Sequence, residues 1–140
     1  MSVAPSNPKG MHMSTKIKHA ITTPDAPQPA GPYSQGVVSG DLLFTAGFGP
    51  QDPATGAMAE SVGEQTRQVL RNLQAVLAQH GADLDDALKT TVHLADLADF
   101  DDFNSAYREF FSEPFPVRTT VGSQLANIRV EIDLVARISS

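Results

Sequence analysis

The chain has no cysteine and no tryptophan, and aromatic residues make up 6% of it. The lack of cysteine excludes disulfides, thiolate zinc sites, iron–sulfur clusters and cysteine nucleophiles together. Cations are also scarce: 10 Lys and Arg stand against 16 Asp and Glu, a net charge of −6. Phosphate contacts supply most of the affinity of a nucleic-acid binder, so an acidic chain without a basic cluster suits nucleic acid poorly. The same deficit speaks against anionic membrane surfaces. No apolar run is long enough for a helix that spans a membrane.

What remains is 140 residues, 41% hydrophobic and 19% charged. That is the make-up of one ordinary globular domain whose core needs no staples. Residues 1–13 lack the charged start and apolar stretch of a signal peptide. They read as a Pro/Ser/Asn/Gly tail, with a cloning scar at His12-Met13 and a natural start at Met13. The expectation is therefore a tail over 1–13, a single domain over 14–140 and a cytoplasmic protein.

Hydrophobic periodicity predicts the elements. Ile17 to Ile21 is a short strand, and Gly36 to Ser39 and Leu42 to Ala46 form a hairpin around Gly40-Asp41. Ser61 to Gly81 is the strongest helix. Ser61 and Glu64 make a capping box, Val62, Thr66, Val69, Leu70, Leu73, Val76 and Leu77 form one stripe, and Gly81 takes the left-handed position after the end. Leu88 to Ala95 alternates as a strand, with Leu88, Thr90, Val92 and Leu94 on one side. A second helix runs from a cap at Asp99 to about Ser112, burying Phe100, Phe103, Tyr107, Phe110 and Phe111. Val117 to Gly122 and Ile128 to Arg137 are the last strands, and the short gap between them predicts an antiparallel hairpin. The order gives an α+β layer, with two helices on one sheet face and a charged face opposite.

Few residues suggest chemistry on their own. His12, His19, His80 and His93 have no ligand-like spacing to one another or to carboxylates, so no metal site is expected. Gly47-Phe48-Gly49-Pro50 leads into a loop and lacks the Lys and helix start of a phosphate cradle. No nucleophile elbow frames a serine. Arg118 stands out, one residue inside a strand. With the expected hairpin, Thr120, Glu131 and Asp133 share its face. Arg118 then serves either as a fork for a ligand's carboxylate or as half of an Arg118–Asp133 ion pair. Tyr33, between Pro32 and the Gly36 turn, either offers its hydroxyl to a ligand or lids the core edge. Glu131 either orients a water or is merely solvated. Asn104 is either near a site or an ordinary helix residue.

Taken together, several separated motifs resemble one family. They are Gly31-Pro32-Tyr33-Ser34-Gln35-Gly36, Thr45-Ala46-Gly47, Asp52-Pro53-Ala54-Thr55-Gly56, Gln65-Thr66-Arg67-Gln68 with Asn72-Leu73, Lys89-Thr90-Thr91-Val92, Asp96-Leu97-Ala98-Asp99-Phe100 with Asn104, Phe115-Pro116-Val117-Arg118 and Val130-Glu131-Ile132. In this order they resemble the RidA/YjgF family of reactive enamine/imine deaminases, from about residue 17 to 138. The resemblance implies a chorismate-mutase-like α+β domain, a sheet of about six strands under two helices. It also implies a homotrimeric barrel with clefts between subunits. It implies hydrolysis of 2-aminoacrylate or 2-iminopropanoate type intermediates to 2-keto acids and ammonia, with no cofactor. Arg118 would hold the carboxylate and Glu131 the water. Tyr33, Gly47, Phe48, Thr120 and Asn104 would complete the substrate site. Two other roles go with the resemblance: a non-catalytic metabolite-binding or chaperone-like trimer, and an endoribonuclease or translation inhibitor. The chain departs from the family pattern at Phe48-Gly49, Thr119 and Thr120, and in a shorter connection from Arg118 to Glu131.

Overall fold

The computed structural model describes residues 17–138; the tail expected at 1–13 and the start at Met13 lie outside these residues. Six strands and two helices realise the periodicities of the sequence. Strands β1 (His19–Ile21), β2 (Gly36–Ser39) and β3 (Leu42–Thr45) form an antiparallel meander. Gly40 turns the β2–β3 hairpin at φ 61°, a left-handed value that costs glycine no Cβ clash.

Helix α1 (Val62–Ala78) starts where Ser61 Oγ accepts the Glu64 N–H at 3.2 Å. The expected reciprocal bond does not form, because the Glu64 carboxylate turns instead to Arg67, one turn on, at 3.1 Å. At the far end Gly81 adopts φ 67°, and the amides of Gly81 and Ala82 return to the carbonyls of Ala78 and Leu77. Those paired bonds satisfy carbonyls that would otherwise be orphaned at the helix end. The stripe Val69, Leu70, Leu73, Val76 and Leu77 is fully buried.

β4 (Ala87–Leu94) departs from the expected alternation at its start. A bulge between Ala87 and Lys89 leaves Leu88 exposed, while Thr90, Val92 and Leu94 keep to the buried side. Helix α2 (Phe100–Arg108) is shorter than expected. Asp96 caps a preceding single turn through the Ala98 N–H at 2.9 Å, so Asp99 is no cap and pairs with Arg129 at 3.4 Å. Phe103, Tyr107 and Phe111 are buried as expected, whereas Phe100 is exposed and Phe110 only partly covered.

The expected hairpin between β5 (Val117–Gly122) and β6 (Val130–Arg137) is not formed. The sheet order is β1-β2-β3-β6-β4-β5. α2 acts as a crossover that lays β5 parallel to β4, and β6 then fills the gap between β3 and β4, antiparallel to both. Its strict alternation suits a strand with neighbours on both sides: Val130, Ile132, Leu134 and Ala136 are buried under the helices. Among the described residues no helix is long and apolar enough to cross a membrane.

Candidate functional site

Strand order decides which side chains can meet. Arg118 pairs across with Thr90, and Thr120 with Val92, so both lie on the helix-covered face. Glu131 pairs with His93 and Asp133 with Thr91, on the opposite, open face. Arg118 therefore does not share a face with Glu131 and Asp133, and the Arg118–Asp133 ion pair does not exist. The cause is the interposed β4: a residue of β5 and one of β6 never stand side by side.

The Arg118 guanidinium lies 4.9, 5.3 and 5.7 Å from the ring centres of Tyr107, Phe103 and Phe100. Aromatic rings this close to a guanidinium attract it and partly shield it from water. Among the described residues no carboxylate comes within ion-pair distance of it. It opens on a cavity of about 280 Å³ that Asn104, Tyr107, Phe115 and Pro116 also line. The Tyr107 hydroxyl bonds Thr90 Oγ1 at 2.9 Å, and burial pushes it up from the usual phenol range, against the opposing effects of that bond and of the Arg118 charge. Tyr107 is thus a neutral wall at physiological pH. Thr120 lies two residues along β5, half-buried and far from the open face.

The second group surrounds Glu131. A cavity of about 650 Å³ is lined by Lys18, Tyr33, Phe44, Thr45, Gly47 and Glu131. Tyr33 Oη accepts the Ala30 N–H at 3.1 Å, which leaves its hydroxyl proton free to donate. The loop that carries it is tied down by buried Gln35, whose Oε1 accepts from Thr23 N–H at 2.7 Å and whose Nε2 donates to the Pro27 carbonyl at 2.9 Å. Gly47 lies directly against Glu131: a Cβ there would come within 2.5 Å of Glu131 Oε2. Phe48 is largely core, exchanging backbone bonds with Ile132. It also lines a smaller recess, which shares Tyr33, Gly47 and Glu131 with the first cavity.

Nearby on the open face, His93 Nδ1 is 2.7 Å from Ser123 Oγ. Burial pushes the Asp133 carboxyl up, while the charges of His93 and Lys89 pull it partly back. Among the described residues no three His, Asp or Glu side chains converge as ligands for a metal ion.

The expected site residues therefore fall into two sets. Arg118, Asn104 and Thr120 lie at one end, and Tyr33, Gly47, Phe48 and Glu131 at the other. Sequence reasoning missed the ring cage, because Phe100, Phe103 and Tyr107 read as a core stripe. Their spacing with Asn104 on one helix stripe was the available signal. Other motif residues turned out to hold loops. Asn72 Nδ2 donates to the carbonyls of Gly49 and Gln51, both at 3.0 Å, and Gln65 bridges Ala59 to the Arg129 N–H.

Comparison with known proteins agrees with this architecture. The model of the endoribonuclease L-PSP family matches residues 23–138. The 2-iminobutanoate/2-iminopropanoate deaminase of Salmonella typhimurium is 41% identical over 125 residues, 86% of this chain and 98% of that protein. A RutC family protein of Pyrococcus horikoshii is 43% identical over 123 residues, 86% of this chain and 98% of its own length. Among solved structures, RidA from a Psychrobacter species matches at TM-score 0.82 and 34% identity, over 86% of this chain and 99% of that one. E. coli TdcF, solved with bound serine, matches at TM-score 0.81 and 34% identity, with the same coverage.

Proposed function

Because this chain belongs to the RidA/YjgF family, the endoribonuclease L-PSP family of the matching model, we propose that it hydrolyses 2-imino acids, formed from enamines such as 2-aminoacrylate, to 2-keto acids and ammonia. The observation that carries this reading is Arg118: a guanidinium caged by three rings, on a rigid strand, with no carboxylate of its own among the described residues. Such a group suits a small carboxylate ligand and positions whatever is bonded to it.

An imine carbon is already electrophilic, so the chemistry is water addition with proton transfers. Glu131 accepts a proton from water as the oxygen bonds to the imine carbon and the C=N pair moves to nitrogen. Nitrogen takes a proton from solvent to complete the carbinolamine, which then collapses: Glu131 returns its proton to nitrogen, the C–N bond breaks and ammonia leaves, and the hydroxyl proton passes to solvent as the keto group forms. Tyr33 donates its free hydroxyl proton to substrate or water. Gly47 gives the Glu131 carboxylate its place.

Arg118 and Glu131 stand on opposite faces, so this reaction needs the guanidinium of one subunit beside the carboxylate of the next. The family's homotrimer with sites between subunits supplies that arrangement. The edge position of β5 and the part-apolar open face, with Phe44, Val117 and Val121 exposed, support such an assembly. A cytoplasmic location completes the proposal. Endoribonuclease activity, the description attached to the family model, finds no support in a chain of net charge −6.

The test generates 2-imino acids with an amino-acid oxidase and follows keto-acid release. Wild-type protein speeds release over the spontaneous rate. Arg118→Ala, expected to fold normally, loses about 100-fold or more of kcat/KM, the scale of a charge-assisted anchor whose bond tightens towards the transition state. An Arg118→Ala variant as active as wild type would remove the residue from the mechanism.

A further inference from the structure

The cavity onto which Arg118 opens has a second arginine in its wall. Asn104, Tyr107 and Arg108 from α2, Phe115 and Pro116 from the segment that follows, and Arg118 from β5 enclose about 280 Å³. Among the described residues no carboxylate lines it, although the chain carries 16 Asp and Glu against 10 Lys and Arg. Resting on the imine-hydrolysis reading, we infer that Arg108 and Arg118 together receive a ligand with two separated carboxylates, and that the preferred substrates are the 2-imino dicarboxylic acids formed from acidic amino acids.

Asn104, Tyr107 and Arg108 stand at i, i+3 and i+4 of α2, so their side chains share one face of the helix. The bond of 2.9 Å between the Tyr107 hydroxyl and Thr90 Oγ1 ties that face to β4, the neighbour of β5. The roots of Arg108 and Arg118 are thereby held at a set separation on the cavity wall. Neither guanidinium makes an ion pair among the described residues. Glu109, next to Arg108 in the chain, is taken by Arg67 through bonds of 3.0 and 2.9 Å. Two cations on one small cavity repel each other, and an anion between them turns that repulsion into attraction.

Two guanidiniums rooted on different elements suit two acid groups on one short chain better than one compact anion. Arg118 takes the carboxylate next to the imine carbon, as in the proposed reaction, and Arg108 takes the distal one. Asn104 adds amide donors for a carboxylate oxygen. Phe115 and Pro116 supply apolar surface for the methylenes between the acid groups. A distal methyl in place of the distal carboxylate leaves Arg108 unpaired. The second acid group is therefore worth about tenfold or more in affinity, the scale of a charge-assisted bond at a part-exposed site. Arg108 also occupies the last turn of α2, where a cation offsets the helix dipole. That role bears on stability and not on ligand choice, so the two can be separated.

The experiment measures calorimetric binding of 2-oxoglutarate and 2-oxopentanoate, stable keto acids that differ in the distal carboxylate. A kinetic arm compares the imines that oxidases make from glutamate and norvaline, with rates read by trapping residual imine as its semicarbazone. The expected result is a preference for the diacid of about tenfold or more in both arms. Arg108→Gln lowers that ratio about tenfold and Arg108→Glu inverts it, whereas Arg71→Gln, the same charge change on α1 beside another cavity, keeps it. A wild-type ratio at or below one, a ratio untouched by Arg108→Gln, or one that falls equally in Arg71→Gln overturns the inference and leaves imine hydrolysis standing. So does inorganic phosphate that competes with 2-oxoglutarate and binds more tightly, which would assign the pocket to a compact anion. If no imine is accelerated, the proposed reaction fails, and the binding arm alone decides the pocket. A diacid preference lost in Arg108→Gln then upholds it, and equal binding of the two keto acids overturns it.

Discussion

Arg118 and Glu131 project from opposite faces of one sheet, with β4 between their strands. At an inter-strand spacing near 4.8 Å, their backbones are about 10 Å apart even before the side chains diverge. A single chain therefore cannot bring its own guanidinium to its own carboxylate. Any chemistry that needs both must take them from two copies.

That separation predicts complementation. Arg118→Ala and Glu131→Gln are each expected to be inactive alone. When the two are co-expressed and assemble at random, roughly a quarter of the interfaces pair an intact Arg118 with an intact Glu131. Mixed assemblies should recover about that fraction of wild-type turnover, read by keto-acid release after co-purification with two different tags. No recovery in verified mixed assemblies would mean that the two residues do not act in one shared site.

Gly47 supports the same carboxylate from the other side. An added Cβ would lie 2.5 Å from Glu131 Oε2 and 3.0 Å from its carboxyl carbon. Those atoms are the end of a flexible side chain in a half-buried place, so Gly47→Ala moves Glu131 and spares the fold. Misplacing a proton-transfer group by about an ångström costs on the order of 100-fold in rate. The expected variant has a melting temperature near that of wild type and a kcat/KM about 100-fold lower. A variant that melts early, or one that works normally, would contradict this role for the glycine.

Much of this was legible in the sequence, and the exceptions share a cause. The start and end of α1 could be read because capping is local: Ser61, Glu64 and Gly81 act within a few residues of the helix they bound. The inward face of β6 could be read because alternation is local too. Strand partnership is not local. The short 123–127 gap favours a hairpin, but the α2 crossover places β5 beside β4, and β6 completes the sheet. That one difference moved Thr120 and Arg118 to the face opposite Glu131. The ring cage escaped notice for a similar reason. Phe103 and Tyr107 satisfy the pattern of buried helix residues, and only the position of β5 shows that they also cover a cation. Phe100 was expected to be buried and instead stands at the exposed lip of that cage.

Asp133 gives the open face a measurable pH dependence. Burial raises its folded-state carboxyl above the ordinary range, and the nearby charges of His93 and Lys89 only partly offset this. A carboxyl raised in the folded state favours folding while protonated. That contribution is complete below the unfolded carboxylate range and is lost as pH rises through the folded value. At neutral pH the native protein therefore carries an ionised group that it covers at some cost, and Asp133→Asn removes that cost. The expected outcome is a melting temperature about 1–3 °C above wild type at neutral pH. The gap should shrink as pH falls through the raised range and close below the range of an unperturbed carboxyl. Lys89 and His93 lose a nearby carboxylate in the variant, which limits the gain and sets its modest size. A scanning-calorimetry series for both proteins across that range decides the matter: a gap that stays constant with pH would assign the effect to packing rather than to ionisation.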